Sequence, residues 1–238
     1  MAFQDKVVVV AGGTGALGRE VAMAFLEAGA RVTVTYRRPE EFAAFVAAAQ
    51  RTGGPVPEGA SIDVTDVAAV ETFVAGLAAR HGRLDILVNA VGGYAGGKTL
   101  WEASAADYEQ MMALNLKAGF ALTHAVVPVM IRQNRGWIVN VASKAGYGHS
   151  PGAALYAASK AAALVMIESL AAEVKLYNIN VNSIVPSIFD TAANRKEMPK
   201  ADFSKWPKPE EIARVVLFLC SEDARLVHGA AVPVYGHT

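Results

Sequence analysis

The chain has one cysteine among its 238 residues, Cys220, set in the apolar run 215–220 where a buried helical thiol is expected. A single thiol closes no internal disulfide, which suits a reducing compartment. Neither charge is in excess: Lys+Arg and Asp+Glu both number 22, so no global field draws the chain to nucleic acid or to an anionic membrane. No apolar run reaches the ~18 residues of a membrane span, and the strand-like residues 6–11 start too early to follow a signal peptide. His149, His228 and His237 form no ligand-like cluster, so no metal is expected. Internal repeats, low-complexity tracts and composition breaks are also missing. These absences point to a cytoplasmic protein of small-molecule chemistry, residues 1–238 forming one domain that hides roughly 70–75% of its unfolded surface.

What is present is regular alternation. The apolar run 6–11 is followed by Gly12-Gly13-Thr14-Gly15-Ala16-Leu17-Gly18 and then an amphipathic segment to Gly29, which reads as strand, glycine turn and helix. Gly13-x-Gly15-x-x-Gly18 fits a dinucleotide fingerprint, whose glycines let backbone approach a pyrophosphate at the positive end of a helix. A second strand, 31–36, ends in Tyr36-Arg37-Arg38 where such units usually place an acid for a ribose 2′-hydroxyl. A guanidinium there pairs with a 2′-phosphate, so NADP(H) is expected to be preferred, with NAD(H) possible.

Further strands are expected as a short one ending at Asp63, just before Val64, and at 84–90, 136–142, 179–185 and 230–235. Helices are expected at 39–51, 66–81, 104–134, 154–178 and 209–221. The strand through Asn89 and Ala90 opens into Val91-Gly92-Gly93-Tyr94-Ala95-Gly96-Gly97, a small-residue loop at the edge where parallel sheets bind ligands. The implied fold is α/β, a single-domain doubly wound Rossmann fold with a parallel sheet of about seven strands, and the Pro-bearing stretch 187–207 is its lid.

Tyr156 and Lys160 stand four residues apart on the expected helix 154–178, one turn apart on one face. An ammonium about 4 Å from a phenolate, at an effective dielectric near 20, favours ionisation by roughly 4 kcal/mol. That predicts a tyrosine brought from ~10 toward ~7, where a general acid works well.

In order and spacing, the glycine turn, Asp63, Asn89-Ala90-Val91-Gly92, Asn115, Ser143, Tyr156-x-x-x-Lys160 and Pro186-x-x-x-x-Thr191 resemble the short-chain dehydrogenase/reductase family over essentially the whole chain. The resemblance implies a catalytic set of Asn115, Ser143, Tyr156 and Lys160. Tyr156 is then the proton donor and acceptor, Lys160 holds the nicotinamide ribose, Ser143 orients the substrate oxygen, and Asn115 supports a water-linked proton path. It also implies that Asp63 meets the adenine, that residues 89–92 line the cofactor, and that Pro186, Phe189 and Thr191 lie near the carboxamide. Relatives of this kind commonly pair as homodimers or homotetramers through helices such as 104–134 and 154–178.

Three segments, 12–18, 92–97 and 190–206, are similar to quinonoid dihydropteridine reductases of the same family. They imply a carbonyl or quinonoid substrate beside Tyr94, Ser143, Tyr156, Asn194 and Trp206. The rival class is a redox sensor that binds the dinucleotide without turnover, and the intact Ser143, Tyr156 and Lys160 argue against it.

Overall fold

Five small or β-branched apolar residues make β1 (Val7–Ala11), and every one is buried. A strand apolar on both faces needs cover on both, and this is met by a doubly wound sheet. The computed structural model describes residues 3–238. Around β1 lie β2 (Arg31–Tyr36), β3 (Glu58–Ser61), β4 (Ile86–Asn89), β5 (Gly136–Val141), β6 (Ile179–Pro186) and β7 (Ala231–Val234). Their order is β3-β2-β1-β4-β5-β6-β7, parallel throughout, so the chain reverses its direction of travel at the β1–β4 crevice. Ligands of open parallel sheets sit at such a switch point.

One layer contains α1 (Ala16–Glu27), α2 (Pro39–Arg51) and α8 (Pro209–Leu219), whose Val21, Phe25, Phe45, Ile212 and Val216 cover Val8, Val10, Val34 and Val88. The other contains α3 (Val67–His81), α5 (Ala118–Gln133) and α6 (Ala154–Val174), packed on Val7, Val9, Leu87 and Ile138, with α4 (Ala105–Met112) set against α6. Cys220 is buried at the end of α8, where burial pushes its thiol well above the ordinary value.

The segment expected as one helix over 104–134 is continuous but not uniform. It opens with a capping box between Ser104 and Asp107, passes through a π-turn at Ala113–Lys117, and resumes as α5. The segments Ala105–Gln133 and Ala154–Tyr177 are both long and apolar enough to cross a membrane, contrary to the expectation from the sequence. Their apolarity has a use within the fold, since Leu122, Val126 and Met130 of α5 and Ile167 and Ala171 of α6 are buried in the layer over the sheet. The lid, expected as loop, contains α7 (Ala192–Glu197) and a 3-10 turn at Phe203–Lys205, capped by Thr191 and Asp202 respectively.

Candidate active site

The glycine turn is built for backbone approach. Gly12 takes φ +73, and its N–H donates to Thr35 Oγ1 at 3.1 Å, fixing the turn on β2. A Cβ on Gly18 would lie 2.2 Å from the Gly12 carbonyl oxygen, and one on Gly13 would lie 2.4 Å from Val34. Only glycine fits either place. Gly15 caps α1 without a side chain, and no acid occupies the first turn, so the free N–H groups face the cleft with their partial positive charge unanswered. An uncapped twelve-residue helix behind a cradle that side chains would fill suits a dinucleotide pyrophosphate.

Two adjoining clefts of about 900 Å³ and about 650 Å³ share Gly15, Ala90, Val91 and Gly92. The larger takes in Ala16, Leu17 and Gly18, then Tyr94, Ser143, Tyr156 and Lys160, and from the lid side Pro186, Phe189, Thr191 and Asn194. The smaller takes in Gly12, Thr14, Tyr36, Arg37, Arg38, Asp63 and Val64. Asp63 accepts from Thr65 N at 2.9 Å and Thr65 Oγ1 at 2.8 Å, and these bonds hold its carboxyl below the usual range. Tyr36 stacks on Phe42 at 4.7 Å, and Glu41 lines the same cleft.

Three expected residues act behind the clefts. Gly13 packs beneath the turn on Val34. Asn89 is buried, donating to Asn140 Oδ1 at 2.9 Å and accepting from Val91 N at 3.2 Å, so it fixes the loop rather than lining it. Asn115 is buried in the π-turn. It accepts from Gly93 N at 3.0 Å, and donates to Gly93 O at 3.1 Å and to Ser159 Oγ at 3.1 Å. Ser159 in turn donates to the Tyr156 carbonyl at 2.8 Å, tying the π-turn, the loop after β4 and α6 together.

Ser143 follows β5, lines the same cleft as Tyr156, and its hydroxyl accepts from Ala145 N at 3.2 Å. Tyr94 meets the Tyr156 ring edge-on at 5.1 Å. The expected electrostatics differ in one respect. Lys160 does not lower the Tyr156 phenol: burial raises it, the neighbouring Ser143 hydroxyl pulls it down, and Tyr94 raises it further. The reason is direction, since Lys160 Nζ donates to the Val141 carbonyl at 3.1 Å instead of reaching Tyr156. Burial pushes this ammonium down to about 8. A Cβ on Gly92 would stand 2.9 Å from both Lys160 Nζ and Asn115 Oδ1, which explains a glycine there.

Trp206 is a correction. It is 7% exposed, lies against Phe203 at 4.9 Å, and stays outside the cleft, because the 3-10 turn folds the indole inward as an anchor for the lid. Asn194 lines the cleft, but its Nδ2 donates to the Phe189 carbonyl at 2.8 Å, so its amide also holds the lid's shape. Lys144, Glu197 and Met198 line the substrate side and carry no motif that sequence reading detects. Among the described residues no cluster of three potential metal ligands occurs.

A crevice of this form, with Ser143, Tyr156 and Lys160 beside a glycine cradle, defines a dinucleotide-dependent oxidoreductase fold. The short chain dehydrogenase family profile matches residues 6–202. The chain is 32% identical to the 3-oxoacyl-acyl-carrier-protein reductase of Thermotoga maritima, covering 99% of this chain and 98% of that one. It is 34% identical to dehydrogenase/reductase SDR family member 4 of Bos taurus, over 98% and 87%. Among solved structures, an NAD+-bound xylitol dehydrogenase superposes with TM-score 0.90 at 25% identity, covering 99% of this chain and 100% of that one. The chain belongs to the short-chain dehydrogenase/reductase family, whose members are oxidoreductases that use a nicotinamide cofactor. The likeness to dihydropteridine reductases is minor beside these matches.

Proposed function

We propose that the protein is an NADP(H)-preferring reductase of C=O or C=N bonds with Tyr156 as its proton donor. The observation that carries this reading is Tyr156 at the cleft wall beside Ser143, with Lys160 buried behind it. When bound, the nicotinamide supplies hydride. Ser143 Oγ and Tyr156 Oη then hold the substrate oxygen, and Tyr156 gives it a proton. Lys160 is positioned to bind the ribose, and Asn115 keeps the neighbouring loop and π-turn in place. Thr191 and the Phe189 backbone are placed for the carboxamide. A binding-only redox sensor would have no use for this set. Exposed Phe120 and Val165, on the two long helices, favour pairing with a second copy.

The cofactor preference rests on Tyr36-Arg37-Arg38. Arg37 is exposed in the smaller cleft and close enough to Asp63 to lower its carboxyl. A charge-assisted bond from Arg37 to a 2′-phosphate gives an expected preference for NADPH over NADH of about ten- to a hundredfold in kcat/KM. Arg37→Ala should erase most of it. Equal kinetics with both dinucleotides in the native chain would end the proposal.

The substrate class is set by the loop 92–97 and the lid. Tyr94 and Phe189 offer apolar faces to a planar ring, which favours a flat conjugated substrate such as a quinonoid pteridine beside simple carbonyls. A panel of aliphatic and aromatic ketones assayed against a quinonoid dihydropteridine decides this. Expected is turnover of the pteridine at a rate comparable to the best ketone; activity confined to ketones, with no pteridine binding, contradicts it.

A further inference from the structure

The smaller cleft holds a carboxylate where a phosphate is expected. Glu41, in the first turn of α2, accepts from Thr14 Oγ1 at 3.1 Å through Oε2 and pairs through Oε1 with Arg38. Thr14 belongs to the glycine turn and Arg38 caps α2, so the side chain of Glu41, 27 residues beyond Thr14, ties together two parts of the cofactor site. The Glu41 side chain is 34% exposed and that of Arg38 is 69% exposed, which leaves both within reach of a ligand. Both line the cleft with Arg37 and Asp63.

A guanidinium offers one fork to one anion in bidentate fashion, and two anions side by side repel. We infer that Glu41 is a specificity residue that competes with a ribose 2′-phosphate for Arg38. The phosphate enters as the carboxylate leaves Arg38 and Thr14, whereas an unphosphorylated ribose is accepted with Glu41 in place. This inference rests on the reading of the cleft as an NADP(H) site, and makes Arg37 the cation open to the phosphate from the start.

The test is direct titration of NADPH and NADH, followed by calorimetry, into the full native chain and into Glu41→Gln, Arg38→Met and the double variant. Glutamine keeps the shape and an acceptor for Thr14 without the charge. Expected is NADPH binding at least about tenfold tighter in Glu41→Gln, with NADH unchanged or weaker by about threefold. Arg38→Met should cost the native chain less than about threefold in NADPH affinity and the Glu41→Gln background about tenfold, because Arg38 is free only there. An unchanged NADPH-to-NADH ratio, or an equal cost of Arg38→Met in both backgrounds, overturns the inference. If Glu41→Gln fails to fold, Glu41→Ala serves, with the same expectation. Should the native chain bind neither dinucleotide, the functional reading falls and this inference with it. If the native chain prefers NADH and Glu41→Gln reverses the order, the competition stands while the NADP(H) preference does not.

Discussion

Replacing Tyr156 by phenylalanine is expected to lower carbonyl reduction by about 10²- to 10⁴-fold while leaving dinucleotide affinity within about twofold. The ring stays, so its edge contact with Tyr94 and its packing in the cleft wall persist; only the hydroxyl next to Ser143 is removed. Burial holds this phenol above its ordinary value, so it stays protonated at neutral pH and is ready to donate. Reduction should therefore run on a plateau through neutrality, and the reverse oxidation should climb with rising pH as the phenol becomes able to accept. The check is steady-state kinetics beside a dinucleotide titration of the same preparation. Near-native turnover in Tyr156→Phe would remove Tyr156 from its role.

The second large effect concerns Lys160, and it runs in two directions. Lys160→Met should lose about ten- to a hundredfold in dinucleotide affinity and a similar factor in turnover, as the charged group proposed to bind the ribose is removed. The cofactor-free variant should nonetheless be the more stable protein at neutral pH. Burial lowers the ammonium from 10.5 to about 8, so the unfolded chain holds this proton more tightly than the folded one. The resulting penalty is fully present below pH 8 and fades as pH rises toward 10.5. The shift corresponds to about 3 kcal/mol, and losing the bond to the Val141 carbonyl costs about 1 kcal/mol. A net gain of about 1–2 kcal/mol should raise Tm by a few degrees at pH 7, at about 2–4 °C per kcal/mol for a chain of this size. Native stability should also rise between pH 8 and 10.5, and that of the variant should not. A destabilised variant at pH 7 would show that Lys160 is not a buried charge held at a cost.

These effects show which parts of the molecule the sequence discloses. The apolar runs of β1 and β4 read as strands because both their faces are apolar, β2 reads from its β-branched alternation of Val and Thr, and the glycine turn reads from its spacing. β3, Glu-Gly-Ala-Ser, has no such pattern, and it lies two residues earlier than the expected end at Asp63. The π-turn is invisible locally, since Asn115 is held by Gly93 and Ser159 from elsewhere in the chain. Helical spacing places Tyr156 and Lys160 on one face but does not say where a long side chain ends, and here Val141 decides it. Glu41 escapes for the same reason, because its partner Thr14 is distant in sequence and adjacent only once α2 docks. In the lid, Trp206 looks like a ring-stacking residue until the 3-10 turn at Phe203–Lys205 shows it folded inward.

The most direct measurement is transfer of deuterium from NADPH labelled at the nicotinamide C4 to a diketone or aryl ketone substrate, read by mass spectrometry of the product. Expected is an alcohol carrying deuterium at the former carbonyl carbon from the native chain, and at least a hundredfold less from Tyr156→Phe. Dinucleotide binding without deuterium in any product would contradict hydride transfer at this site and leave the protein a binder of the cofactor alone.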